Sequence, residues 1–248
     1  MKHPFSWLIA AVVLAACIHL PMAVQAADSF TPVQRSEIVR ILRDALVKDP
    51  SILRDAVEAL QASEKGQEEA SAKASLAANR DQLIDSADPV AGNPNGNVTI
   101  VEFFDVRCSY CKRLEAPMAE LLKQDPNIRL VYKDLPVLGP ASVLGARALL
   151  AAQKQGRYEP MRNALMHTDI PITRDSLRAE AERLKLDWPK MSQDMDAPDI
   201  DARIQKNMKL ATALGIQGTP AMVIGNTLIP GAIDLQELKR VVADARKK

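Results

Sequence analysis

Val98-Thr99-Ile100-Val101-Glu102-Phe103-Phe104-Asp105-Val106-Arg107-Cys108-Ser109-Tyr110-Cys111 is the stretch on which the reading of this chain turns. The part from Val98 to Asp105 is rich in β-branched and aromatic side chains, which predicts a central strand. The cysteines follow at once. Leu114, Met118, Leu121 and Leu122 then recur at helical spacing between Lys112 and Gln124. After Asp125-Pro126-Asn127, the run Ile128 to Lys133 predicts a second strand. Strand, helix and strand joined by short connections make a βαβ unit, so these two strands are expected to pair in parallel.

A Cys-x-x-Cys between a strand and a helix has a direct electrostatic meaning. A helix N-terminus presents unpaired N–H groups and partial positive charge. A thiolate at Cys108 is favoured there, which makes Cys108 the expected attacking sulfur. Cys111 lies one turn further in and can attack the mixed disulfide formed at Cys108, releasing the substrate. Ser109 and Tyr110 control which backbone N–H groups face the sulfur and are expected to tune the redox potential. Tyr110 can instead simply pack, or contact substrate as an exposed aromatic. A zinc half-site is the competing reading of the pair. A closed structural zinc site needs four ligands, and beyond residue 26 the chain has no second Cys pair and a single histidine, His167. No metal site and no cofactor are expected.

Working outward, residues 138–216 read as mostly helical, with breaks at Gly156, Pro171, Pro189 and Pro198. Ala221-Met222-Val223-Ile224 and Thr227-Leu228-Ile229-Pro230 read as short strands turning at Gly225-Asn226. A last helix is expected from Asp234, its candidate cap, to Lys248. In the other direction, Asp88-Pro89 and the run Gly92 to Asn97 form a turn cluster that marks a domain boundary. Gln61 to Asp85 is rich in Ala, Glu, Lys, Gln and Ser, and reads as a solvated helical linker with Gly66 as a weak point. Ile38, Ile41, Leu42, Ala45 and Leu46 predict an amphipathic helix capped by Thr31 ahead of Pro32. After Lys48-Asp49-Pro50, Ser51 is a candidate cap for a second helix with Ile52, Leu53, Ala56, Val57 and Leu60 on one face. Two short helices bury little alone, so their apolar faces need either the main domain or another copy of the chain.

The N-terminus has a charged start at Lys2, an apolar run through Leu8 to Met22 and a small-x-small site at Val24-Gln25-Ala26. This is the layout of a secretory signal peptide cleaved after Ala26. Leu14-Ala15-Ala16-Cys17 also resembles a lipobox, which would leave Cys17 as a lipidated N-terminus. Pro21 and His19 interrupt the run and disfavour a transmembrane span. An exported chain meets an oxidising compartment, and a pair that closes so small a loop adds little as a staple. Its chemistry is the better reason for its presence. Over 248 residues the net charge is +1, with 47% apolar residues. Nothing in that balance points to nucleic acid.

The segment Val101 to Lys112 resembles the active-site region of DsbA-like thioredoxin-fold oxidoreductases. Lys133-Asp134-Leu135-Pro136-Val137-Leu138-Gly139-Pro140-Ala141-Ser142 resembles the segment after the next strand in that family, and Gly218-Thr219-Pro220 its cis-proline loop. Residues 30–60 resemble the extra N-terminal domain of ScsC-type suppressor-of-copper-sensitivity proteins. The resemblance implies an α/β chain with a thioredoxin fold, an inserted helical subdomain over about 138–216, and a helical segment in front. The expected division is a signal peptide over 1–26, an oligomerisation domain and linker over 27–86, and a thioredoxin-like domain over 87–248.

The resemblance further implies that Cys108 is the nucleophile, that Cys111 resolves, and that Pro220 is cis and lies beside the pair. Thr219 would offer backbone groups to an extended substrate. Glu102 matches the family's buried carboxylate, whose pKa burial would raise so that it shuttles the Cys111 proton. An exposed strand residue, or a salt bridge to Lys133, is the alternative for Glu102. A strand-start proline is the alternative for Pro220. Members of this family often carry Pro or Gly between the cysteines, where this chain has Ser109. The implied activity is thiol–disulfide exchange on exported proteins in the periplasm, as an isomerase or reductase. A dithiol oxidase and a Cu(I)-binding copper-tolerance protein are the alternatives. The implied partners are cysteine-containing exported proteins, a membrane reductase or quinone-linked oxidase that resets the pair, and further copies of the chain in a dimer or trimer.

Overall fold

A computed structural model describes residues 30–247; the signal-peptide and Cys17 readings lie outside the described residues. The described residues divide into two compact units that meet in the chain between Gln61 and Ala62. In the first, α1 (Pro32–Lys48) starts at a capping box: Thr31 Oγ1 accepts from Gln34 N at 3.2 Å, and Gln34 Oε1 accepts from Thr31 N at 2.8 Å. α2 (Ser51–Ala78), which begins in the first unit and continues beyond Gln61, follows a break at Asp49, whose carboxylate accepts from both Ser51 N and Ser51 Oγ. Asp49, and not Ser51, therefore supplies the side-chain oxygen at this turn. α2 runs unbroken through Gly66, because the Ala-, Glu- and Lys-rich residues around it carry enough helix propensity to offset about 1 kcal/mol of glycine cost. No residue of α1 is buried, and Ile38, Ile41, Leu42, Leu46, Ile52, Leu53, Val57 and Leu60 all stand exposed.

The second unit is built on a five-stranded sheet of β1 (Val90–Gly92), β2 (Val98–Phe104), β3 (Ile128–Asp134), β4 (Ala221–Ile224) and β5 (Thr227–Pro230), in the order β1-β3-β2-β4-β5. β2 and β3 pair in parallel; the other neighbours are antiparallel. β2 and β3 sit inside the sheet with helices on both faces, which is why they read as near-continuous apolar runs. Alternation sorts their side chains. Ile100, Phe104, Leu130, Tyr132, Met222 and Ile224 face one core, which also holds Leu114 and Met118 of α4 (Ser109–Gln124) and Leu238 and Val242 of α10 (Leu235–Ala245). Val101, Phe103, Val131 and Val223 face the other, with Leu83 of the short helix α3 (Arg80–Leu83) and Leu210 and Leu214 at the end of α9 (Pro198–Ala213).

Between β3 and β4 the chain forms α5 (Pro140–Gln153), α6 (Tyr158–Met166), α7 (Arg174–Arg183), α8 (Trp188–Met195) and α9. Pro189 and Pro198 lie in first turns, where the missing N–H costs nothing, so they start helices instead of breaking them. The break expected at Pro189 falls earlier, at Leu184–Leu186, where Lys185 adopts a positive φ of 58°. β1 is an element that the sequence hid inside a turn cluster. It is short and ends in Gly92, whose φ of 68° and close approach to Ile128 O leave no room for a Cβ.

Candidate active site

The site forms where β2 ends and α4 begins. Cys108 is the N-cap residue of α4: its N donates to Asp105 O at 3.0 Å, and its O accepts from Lys112 N at 3.0 Å. Asp105 holds this turn in place. Its carboxylate accepts from Arg107 N at 2.8 Å, Val137 N at 2.9 Å and Leu138 N at 3.0 Å, tying the turn to the segment after β3. Asp105 is buried and fully engaged in these bonds, and sequence reasoning gave it no role. The only sequence hint was a carboxylate placed just before a Cys-x-x-Cys.

The Thr219–Pro220 peptide bond is cis, as the resemblance implied. The Cys108 thiol donates to Thr219 O at 3.1 Å, so the cis-proline loop and the Cys pair meet although they are 111 residues apart. Both cysteines are reduced and buried; Cys108 keeps 6% of its surface in contact with solvent, and Cys111 none. Burial pushes the Cys111 thiol well above its ordinary range, opposed by a backbone hydrogen bond from Asp105 and reinforced by the neighbouring Cys108 and Glu102. Cys111 is therefore a protonated thiol that needs a base before it can attack. Tyr110 is 56% exposed, with the Arg113 guanidinium 3.9 Å over its ring, and Ser109 is exposed beside it.

Glu102 is fully buried, and neither carboxylate oxygen has a hydrogen-bond partner among the described residues. Lys133 is not its partner. In the parallel register Glu102 lies beside Tyr132, while Lys133 lies beside Phe103 and points to the opposite face. There Lys133 Nζ pairs with Asp88 at 2.7 Å and donates to Gln82 O. The cation nearest Glu102 is Arg162 of α6, at 3.8 Å. Arg162 is held elsewhere: it makes a bidentate pair with Glu115 of α4 and lies over the rings of Tyr132 at 4.0 Å and Phe104 at 4.7 Å. Burial raises the Glu102 carboxyl to about 7, more than Arg162 lowers it. Near neutral pH this carboxyl is thus poised to give or take a proton. Arg162 has no signal in the sequence, because it comes from a distant helix. Asp134, buried and hydrogen-bonded by Tyr158 Oη at 3.1 Å, is likewise raised to about 7 by burial.

Comparison with known proteins agrees with this geometry. The model of the DSBA-like thioredoxin domain matches residues 99–243, and that of the copper resistance protein ScsC N-terminal domain matches residues 34–67. A thioredoxin-like oxidoreductase from Silicibacter pomeroyi is 43% identical, covers 68% of this chain and 99% of its own, and superposes with a TM-score of 0.66. Proteus mirabilis ScsC, in a transitional conformation, is 30% identical over 88% of this chain and 98% of its own, with a TM-score of 0.63. A periplasmic thioredoxin-like protein from Salmonella enterica serovar Typhimurium is 29% identical over 68% of this chain and 96% of its own, with a TM-score of 0.60. Among curated relatives, a Na(+)/H(+) antiporter of Salinispora arenicola is 29% identical over 160 residues; this chain spans 24% of its length. The sheet order, the Cys pair at the N-terminal end of α4 and the matched domains lead to one conclusion: the chain belongs to the DsbA-like thioredoxin-domain family of disulfide oxidoreductases and is of the ScsC type, with that family's N-terminal domain in front.

Proposed function

We propose that this protein exchanges disulfides with exported polypeptides in the periplasm, acting as an isomerase or reductase through Cys108 and Cys111. The observation that carries the reading is the asymmetry of the pair. Cys108 caps a helix and meets the cis-proline loop, while Cys111 is sealed beside an unpartnered carboxyl. In the first step the Cys108 thiolate attacks one sulfur of a substrate disulfide, forming a mixed disulfide and releasing the other substrate sulfur as a thiolate. That thiolate can attack a second substrate disulfide, and the thiolate this frees attacks the mixed disulfide, so that the substrate leaves rearranged and the Cys108 thiolate is restored, which is isomerisation. Alternatively Cys111 gives its proton to Glu102 and attacks Cys108 Sγ. The Cys108–Cys111 disulfide forms and the substrate leaves reduced. The reverse sequence is oxidation.

The role of Glu102 as proton shuttle, of Thr219 and Tyr110 as substrate contacts, and of Ser109 in tuning the potential belong to this reading. A membrane redox partner completes the cycle: a reductase for isomerase or reductase work, a quinone-linked oxidase for the reverse. The uncovered apolar side chains of α1 and the first turns of α2 favour a dimer or trimer, in which several sites hold one substrate while it rearranges. Deleting residues 27–85 and comparing particle mass tests this; a particle mass equal to a single chain both before and after the deletion removes the oligomer.

Refolding of scrambled ribonuclease by the wild type and by Cys108→Ala tests the activity. The wild type is expected to restore ribonuclease and the variant is not; equal yields overturn the reading. A copper role is favoured by the name of the N-terminal family. Repair of copper-scrambled disulfides accounts for it through the same chemistry. Direct holding of Cu(I) by the two sulfurs is the alternative, and a stoichiometric Cu(I) complex lost in Cys108→Ala would support that instead.

A further inference from the structure

A cavity of about 300 Å³ is lined by Val106, Arg107, Lys112, Thr168, Asp169 and Ile170 among others. Two of its cations flank the cysteines in the chain. Arg107 directly precedes Cys108, and Lys112 follows one helical turn on, its N bonded to Cys108 O. Both are anchored by main-chain carbonyls and not by carboxylates: Arg107 Nη1 donates to Leu138 O at 2.9 Å and Lys112 Nζ to Thr168 O at 2.6 Å. A carbonyl fixes the direction of a cation without cancelling its charge, and each head keeps spare donors.

Among the described residues no nearby acidic group forms an ion pair with either cation. Asp105 is committed to three backbone N–H groups, and Glu115 to Arg162. Asp169 stands exposed on the rim and pairs with neither cation. Arg113, stacked on Tyr110, adds positive charge to the same end of α4. Elsewhere in this unit the guanidiniums of Arg162, Arg174 and Arg246 each meet a carboxylate through two hydrogen bonds. By contrast, the cavity beside Thr219, of about 310 Å³, is lined by Ile216, Pro220, Leu228 and Pro230 and carries no charged side chain.

We propose that the Arg107–Lys112 cavity is a carboxylate-binding subsite, so that this protein prefers polypeptide substrates with an acidic side chain close to the reacting cysteine. The inference rests on the thiol–disulfide exchange reading and names its substrate class. It is tested with two peptides closed by one disulfide and identical but for Glu or Lys two residues from a cysteine. Their reduction by the reduced full chain is followed at low and at high salt. Each rate is divided by that with dithiothreitol, which removes the peptide's own reactivity.

The Glu peptide is expected to react about five- to tenfold faster at low salt, with the ratio falling toward one at high salt, as screening of exposed charges requires. Lys112→Glu is expected to invert the ratio, and Arg107→Gln to shrink it. Because the ratio is read within each protein, a variant that folds less well still reports. A wild-type ratio at or below one, or a ratio that Lys112→Glu leaves unmoved, overturns the subsite while both peptides are still reduced. If neither peptide is reduced, the exchange reading falls along with it.

Discussion

Replacing Glu102 by glutamine is expected to change how stability depends on pH more than it changes stability itself. In the folded protein burial raises the carboxyl from 4.5 to about 7. Between those values the native state binds more protons than the unfolded chain, so stability falls as pH rises through that window. At 1.36 kcal/mol per pKa unit, ionising Glu102 costs about 3 kcal/mol by pH 8. The glutamine cannot ionise and escapes that cost. Relative to wild type, Glu102→Gln is therefore expected to gain about 3 kcal/mol between pH 4.5 and pH 8.

The comparison is made on one protein across pH, which removes terms that do not titrate. The unpaired amide of the glutamine is one of these, since both Glu102 oxygens already lack partners. Asp134 titrates in the same window in both proteins and cancels. Urea unfolding of the reduced chains at pH 4.5, 6 and 8, at one protein concentration, measures the difference. If the pair with Arg162 at 3.8 Å outweighed desolvation, the sign would reverse and the variant would lose stability as pH rises. That result, or parallel pH profiles, refutes the reasoning.

Iodoacetamide treatment of the reduced protein at pH 7 is expected to modify Cys108 and spare Cys111, which has no exposed surface and whose thiol burial keeps protonated; mass spectrometry showing equal labelling contradicts this. Asp88→Ala removes the carboxylate that meets Lys133 at 2.7 Å and also pairs with Arg203, leaving a buried ammonium uncompensated. A loss of about 3–5 kcal/mol in urea unfolding is expected, with partial recovery in Asp88→Ala/Lys133→Met; a loss under about 1 kcal/mol would mean the pair is not sealed from water. Gly145→Ala, which in an open helix gains about 1 kcal/mol, would place a Cβ 2.6 Å from Val106 Cγ2. The overlap is expected to win, costing about 1–3 kcal/mol, and a thermal midpoint at or above that of wild type counts against it.

What the sequence by itself determined is local. The Cys pair at a strand-to-helix junction, the Thr31 cap, the strand runs read over 98–105 and 128–133 and the short strands 221–224 and 227–230 all follow from neighbours within a few positions. β-branched runs, caps and turn residues act over one turn or one pleat, so they can be read without a partner. The continuity of α2 through Gly66 was less legible, because propensity summed over a long window outweighed one unfavourable residue. β1 was hidden because three residues carry no period to detect.

Tertiary structure alone decided which groups meet. Lys133 looked available to Glu102, yet the register gives Glu102 the neighbour Tyr132 and sends Lys133 to the other face. A shift of one residue would exchange them, and the register is set by the apolar faces of both strands meeting their cores, not by Glu102 and Lys133 themselves. Arg162, the Asp105 clamp across to Val137 and Leu138, and the bond from Cys108 to Thr219 join segments far apart in the chain. The two cysteines could be read as reactive from their own surroundings. The carboxyl that would take the Cys111 proton owes its raised pKa to a core assembled from β2, β3, α4 and α6, and burial of that kind exists only once distant elements have packed.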